Sequence, residues 1–257
     1  MPEAATLTRP TTRDEDWRYS DGEWIAGVPA DYLAHWGTTT VPAGETKHYN
    51  AFHSSGPEAT GGQIQRTRVH VGKGARYEHF EINASRNYSR YELEVTLEEG
   101  AHFEFGGVTI GNEDARQEFV TRVVHAQPGA TSNQVVRAVQ AGSSVGNFLG
   151  RIEVARDAQK TDAAQNFRAI LLDKGAAANT KPELEIYADD VQCAHGAAIG
   201  QMDEQAAFYM AARGLPPAVA RRLLVQAFIG DALVAIEDRR IADRMMDRAL
   251  EHLERML

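Results

Sequence analysis

Between about Gln63 and Gly200, short apolar runs skip every second position: Leu93, Val95 and Leu97, then Phe103 and Phe105, Val135 and Val139, Leu184 and Ile186. A period of two sends successive side chains to opposite faces, so these runs predict strands with one face buried. Gly-Ala doublets punctuate the same region at Gly74-Ala75, Gly100-Ala101, Gly129-Ala130 and Gly175-Ala176, with Asp157-Ala158 as a weaker echo. Their successive spacings are 26, 29, 28 and 18 residues. A small residue after Gly suits a corner where the backbone turns with little room. Short strands between recurrent corners fit a sandwich, a barrel or a solenoid. Repeated corner text favours the solenoid, because stacked coils reuse one corner.

The flanks read differently. Residues 1–62 predict an irregular segment, punctuated by Pro10, Pro29, Pro42 and the Gly56-Pro57 loop, with one helical turn over Asp31–Trp36. After Met202 the period becomes helical. Asp203 caps a segment running to Arg213, Gly214 stops it, and Pro216-Pro217 opens a second helix. Val219, Leu223, Ala227 and Gly230, beside Leu224 and Phe228, give that helix its stripe; Ile241, Met245, Ala249 and Leu253 give a third helix its own. Both stripes are expected to pack on the β-body. The expected division is therefore 1–62 irregular, 63–200 β-solenoid and 201–257 helical.

Charge and composition then remove function classes. The chain of 257 residues carries net charge −9, without the basic run that a phosphate backbone requires, so nucleic acid is not an expected partner. No apolar stretch is long enough for a membrane span, and Met1 to Asp16 lacks the apolar core of a secretory signal, so a cytoplasmic location is expected. The single cysteine, Cys193, excludes an internal disulfide and a cluster held by four thiolates of this chain. No P-loop, nucleophile elbow or His-Glu-x-x-His motif occurs, so no enzyme activity is expected.

One local cluster carries metal-ligand chemistry: Asp189-Asp190-Val191-Gln192-Cys193-Ala194-His195-Gly196. Cys193 and His195 stand two apart, so on a strand they share a face, and a thiolate with an imidazole makes half a site for iron, zinc or copper. A buried Cys and a hydrogen-bonded His at a strand end is the plainer reading, and spacing alone leaves both open. His70, His79, His102 and His125, in strand-like text, read as surface or satisfied histidines.

The stretch Phe148–Ala212, with Arg213-Gly214-Leu215 after it, resembles the C-terminal signature of the SufB/SufD family. The matching pieces are Gly150 to Val154, Ala158-Gln159-Lys160-Thr161, Gln165-Asn166, Lys181-Pro182-Glu183-Leu184-Glu185-Ile186, Asp189 to Ala197, and Phe208-Tyr209. Glu15-Asp16-Trp17-Arg18-Tyr19 resembles the family's N-terminal motif. His195-Gly196-Ala197, where SufB usually has His-Glu-Ala, and the lack of a second core cysteine both favour the SufD branch. Two departures stand out: the N-terminal helical region of longer members is nearly missing, and Ala198 stands where Thr is common.

The resemblance implies a parallel β-helix with a C-terminal helical domain, working as a non-catalytic scaffold of iron–sulfur cluster assembly. It further implies SufB and the ATPase SufC as partners, with two copies of SufC per complex. The helical tail is then the expected SufC-docking element, with Leu215, Arg221, Leu224 and Phe228 as candidate contacts. Cys193 and His195 become a partial metal-ligand set near the SufB–SufD interface, to be completed by the partner chain around a transient cluster. No cofactor is expected to stay on the isolated chain. Competing readings are a homodimer paired through open solenoid edges, a metal-binding module acting alone, and a carbohydrate-active β-helix enzyme.

Overall fold

The computed structural model describes residues 9–54 and 61–256. Residues 1–8 and the Gly56-Pro57 loop lie outside the described residues. Twelve strands form a parallel β-solenoid of two six-stranded sheets. One sheet stacks β1 (Gly37–Val41), β3 (Gln63–Val71), β5 (Ser89–Leu97), β7 (Arg116–His125), β9 (Val145–Val154) and β11 (Ala177–Ile186). The other stacks β2 (Thr46–Ser54), β4 (Arg76–Ala84), β6 (His102–Gly111), β8 (Thr131–Gln140), β10 (Asp162–Leu171) and β12 (Gln192–Gln201). Each odd strand and the even strand after it make one coil.

The Gly-Ala doublets mark the corners as expected, but not all the same corner. Gly74, Gly100 and Gly129 hold φ of 62°, 64° and 69° where the chain passes from the first sheet to the second. Each Ala that follows is buried, and the corners stack through Gly74 N–H to Glu99 O, Gly100 N–H to Pro128 O and Gly129 N–H to Gln159 O. Gly175-Ala176 lies on the opposite corner, between β10 and β11, which explains why its spacing is short. Lys160 and Glu113 take the left-handed conformation at φ 63° and 57° without glycine; the Asp157-Ala158 echo lies on the same corner as Lys160 but three residues ahead of its turning position, and the Glu113 corner has no Gly-Ala doublet.

The expected irregular segment 1–62 contains β1 and β2, so the solenoid begins at Gly37, well before residue 63. Thr38-Thr39-Thr40 and Thr46 to Ser54 suit a strand by β-branching and aromatic content but show little apolar alternation. Ahead of them, α1 (Gly22–Gly27) and α2 (Ala30–Ala34) are short, and α2 overlaps the expected helical turn over Asp31–Trp36 without reaching its end.

The lumen is filled by side chains of both sheets. Tyr77 stacks on Phe103 at 5.9 Å, Phe148 on Phe167 at 5.9 Å, and Phe119 meets both Tyr91 and Phe105. Each such buried ring contributes roughly 1.5–3 kcal/mol. Polar groups share this interior. Glu81 meets His53 and His79 at 2.8 Å each; burial pushes its carboxyl upward, but the two imidazoles outweigh that and hold it below the usual range.

Both outer faces are covered in part. Over the first sheet, the N-terminal segment is fastened at Arg90, which is fully buried and pairs with the equally buried Glu118 at 3.1 Å. Arg90 also donates to the Asp16 carbonyl at 2.8 Å and lies 4.0 Å from the Trp17 ring, while Ser20 Oγ donates to Glu118 at 2.8 Å. Over the second sheet lie α4 (Pro217–Gly230) and α5 (Arg239–Met256), whose Val225, Ile229, Met245, Ala249 and Leu253 pack on Phe80, Ile82, Val108 and Ile110. Contact is close enough that a Cβ on Gly106 would fall 1.9 Å from the Ala232 carbonyl. In α4 the buried positions are Ala220, Val225 and Ile229, whereas Val219 and Leu223 of the expected stripe are exposed. That helix is apolar nearly all round, so its sequence does not fix which face turns inward. Among the described residues no helix is long and apolar enough to cross a membrane.

His125 lies fully buried in the lumen, 2.9 Å from Ser132 Oγ, and burial lowers its pKa to about 4. An unfolded His titrates near 6.5, so between about pH 6.5 and 4 the unfolded chain binds a proton that the folded chain does not. Stability should therefore fall as pH drops through this window, by about 3 kcal/mol from this residue. Denaturant titrations from pH 7 to pH 4 should show the loss, and His125→Gln should flatten it.

Candidate functional site

The last coil has no coil beyond it. Strands β11 and β12 are the edges of their sheets, so one side of each backbone is left unpaired. Inward positions that would be buried in a middle coil therefore open to solvent. In β10 the lumen positions Ala163 and Gln165 are buried, and they pair in register with Cys193 and His195. Cys193 and His195 thus both face the lumen mouth, about 6.6 Å apart along the strand at the usual rise of about 3.3 Å per residue.

Their surroundings differ. Cys193 is half-buried, packed with Leu184 and Val191 against Ile152, Val154 and Ala163. Burial, with a further push from the Asp162 charge, raises its thiol above the ordinary range. His195 is exposed and makes no hydrogen bond or ion pair with another described residue. Among the described residues no group of three or more His, Cys, Asp or Glu converges as a metal site. Cys193 and His195 together supply at most two ligands, and the mouth is open for others to approach.

The two edges are not equally protected. β11 carries Lys181, Pro182, Glu183 and Glu185, and both proline and charge disfavour pairing with another strand. β12 reads Gln-Cys-Ala-His-Gly-Ala-Ala-Ile-Gly-Gln, ten residues without Pro, Lys, Arg, Asp or Glu. Ile186, Tyr187 and Ile199 are exposed around this end.

The helical tail presents a second apolar surface. In α3 (Glu204–Ala212) Asp203 caps as expected, accepting from the Gln205 and Ala206 amides, and Gly214 stops the segment at φ 87°. None of its residues is buried, and Phe208 and Tyr209 are 75% and 60% exposed. A cleft of about 480 Å³ runs along α4 and α5, lined by Pro217, Val219, Arg221, Arg222 and Leu253. Of the expected docking residues, Arg221 is exposed at this cleft, and Leu215 and Leu224 are half-buried. Phe228 turns toward the body, 5.8 Å from the Arg137 guanidinium. Val219 and Leu223, expected to pack inward, are exposed because the phase of α4 is not legible locally, and the exposed surface of Phe208 and Tyr209 has no local signal because α3 has no apolar stripe.

A groove on the outer face of the first sheet is lined by alternating charges. Its carboxylates are occupied: Glu92 pairs with Arg66, Glu94 with Arg68 and Arg122, and Glu183 with Arg151 and Lys181. That leaves no unpaired carboxylate couple of the kind a glycosidase uses.

Residues 30–228 match the family described as SUF system FeS cluster assembly, SufBD core domain. A SufBD family iron–sulfur cluster assembly protein of Synechocystis is 35% identical over 171 residues, covering 66% of this chain and 38% of that protein. The iron–sulfur cluster assembly protein SufD of Escherichia coli is 33% identical over 133 residues, 52% of this chain and 31% of that one. A SufBD family protein of Mycobacterium tuberculosis is 26% identical over 236 residues, 88% of this chain and 54% of its own length. The aligned part therefore spans between about a third and about half of these relatives.

A thiol raised by burial and by Asp162 holds less thiolate at pH 7 than the few per cent of an ordinary cysteine. Iodoacetamide should alkylate Cys193 more slowly than a free thiol at pH 7.5, and Asp162→Asn should speed the reaction by lowering the pKa. Mass spectrometry of the time course reads both.

Proposed function

This chain belongs to the SufBD family of iron–sulfur cluster assembly proteins, and on that premise we propose that it serves as a non-catalytic scaffold that pairs end to end with a second solenoid. The observation that carries the reading is β12: an edge strand without proline or charge that presents Cys193 and His195 at the mouth of the last coil. A partner strand added there would satisfy the free backbone groups and bring its own ligands to the same mouth. The expected partner is SufB. The nascent cluster is then cargo held across the joint, with His195 giving an imidazole ligand or orienting a partner thiolate, and Cys193 giving a sulfur once a metal ion displaces its proton. The ATPase SufC is the expected occupant of the helical surface, where exposed aromatics next to arginines have the composition of an interaction hot spot.

Co-purification with SufB and SufC tests the pairing. Ile199→Asp places a charge on the open edge and should abolish SufB association while the isolated chain keeps its Tm. Unchanged SufB recovery would refute the edge as the joint. Mass measurement without SufB separates the homodimer, which the same edge could support, from a chain that pairs only with SufB. His195→Ala should leave the complex intact and slow cluster reconstitution at least tenfold; a normal rate removes the ligand role.

The helical surface is tested independently. Phe208→Ala with Tyr209→Ala removes two side chains that touch nothing in the core, so stability should change by no more than about 0.5 kcal/mol. SufC binding should weaken at least tenfold in a titration, and retained affinity would move the docking site elsewhere.

A further inference from the structure

Two coils inside the mouth, the lumen turns polar without internal partners. Gln134 is fully buried, yet neither its Oε1 nor its Nε2 finds a hydrogen bond; Thr121 Oγ1 and Gln165 Oε1 are buried and unpartnered as well. Strand register places these groups together. Gln134 pairs with Gln165, and Thr121 pairs with Gly150. A Cβ on Gly150 would fall 2.2 Å from Gln165 Oε1, so the Gln165 side chain crosses the lumen to the column that holds Thr121. Gln165 uses its amide donor on the Glu183 carbonyl at 3.3 Å, which leaves its oxygen free to accept.

Four unmatched polar atoms in two stacked coils would each be destabilising in a dry interior. Their chemistry is mixed: an amide donor, a hydroxyl and two carbonyl-type acceptors, with no charge among them. That combination suits neither an anion nor a cation. It suits a small neutral molecule that both donates and accepts, with two to four partners within reach. We propose that ordered water occupies the lumen between Thr121, Gln134 and Gln165. His195 is the next residue of the same column, paired in register with Gln165. The buried water therefore lies one to two coils, about 5–10 Å, behind the mouth, and gives the polar column a hydrogen-bonded continuation into the core.

Two measurements on the full chain decide it. Water-to-amide NMR cross-peaks at the Gln134 and Gln165 side chains should reveal long-lived bound water in the unaltered protein; their absence overturns the proposal. Gln134→Met conserves volume and removes both polar atoms. With water present, the substitution strands its other partners and Tm should fall by roughly 2–4 °C. With a dry lumen the same substitution removes two unmatched groups, and a rise in Tm overturns the proposal. Should the variant fail to fold, the NMR measurement on the unaltered chain decides alone.

Discussion

Every part of this molecule depends on the parallel hydrogen-bond ladder, in which each coil is completed by the next. A parallel strand cannot satisfy its own backbone, and a middle strand such as β7 is closed on both sides by β5 and β9. The ladder also sets side-chain position, because in-register stacking repeats one inward or outward assignment down a column. Val69, Val95, Val123 and Ile152 form such a column, and so do Gln134, Gln165 and His195. What a column does in the middle of the stack and what it does at the end differ only in whether another coil lies above it.

The outer faces are closed by means that suit their chemistry. The helices on the second sheet bury apolar surface and approach closely at Gly106. On the first sheet the N-terminal segment is held by a buried ion pair in which Arg90 and Glu118 satisfy Ser20, Trp17 and Asn147 around them. A buried pair adds little net stability over apolar packing, but loss of one partner strands the other and costs about 3–5 kcal/mol. Such a fastening is specific: only the Asp16-Trp17 segment offers both the carbonyl and the ring that Arg90 uses. Backbone groups are left unpaired at the two ends of the stack, and the β11–β12 end is the one that carries Cys193 and His195.

Much of this was legible in the chain because it is local. Glycines with positive φ, alternating Leu-Val runs, the Asp203 cap and the Pro217 start are each decided within a few residues, and the structure places them as read. What was not legible depends on distant partners. Arg90 and Glu118 are 28 residues apart, and nothing local marks either as half of a buried pair. His79, Glu81 and Gln134 look like polar outward positions until register shows them in the lumen. Strands β1 and β2 are polar because one neighbour coil is enough to hold them, and no alternation was needed. The Cys193–His195 pair was visible by spacing, but the open mouth around it is a property of the end of the stack and has no local code.

That location gives the pair its logic. In a middle coil His195 would be buried like Gln165, and an uncompensated imidazole ligand could not reach a metal from solvent. At the end it is exposed, while Cys193 beside it is half-buried and kept protonated by burial and by Asp162. A raised thiol pKa disfavours binding of stray metal by the lone chain, because the proton must leave before sulfur can coordinate. Two ligands are too few to repay that cost. On the proposed reading, a partner that closed the coil would change both conditions at once, adding donors and excluding water, so that ligand assembly and chain assembly would become one coupled equilibrium. On the proposed scaffold reading, the incompleteness of the last coil would link the stability of the joint to the cargo held across it.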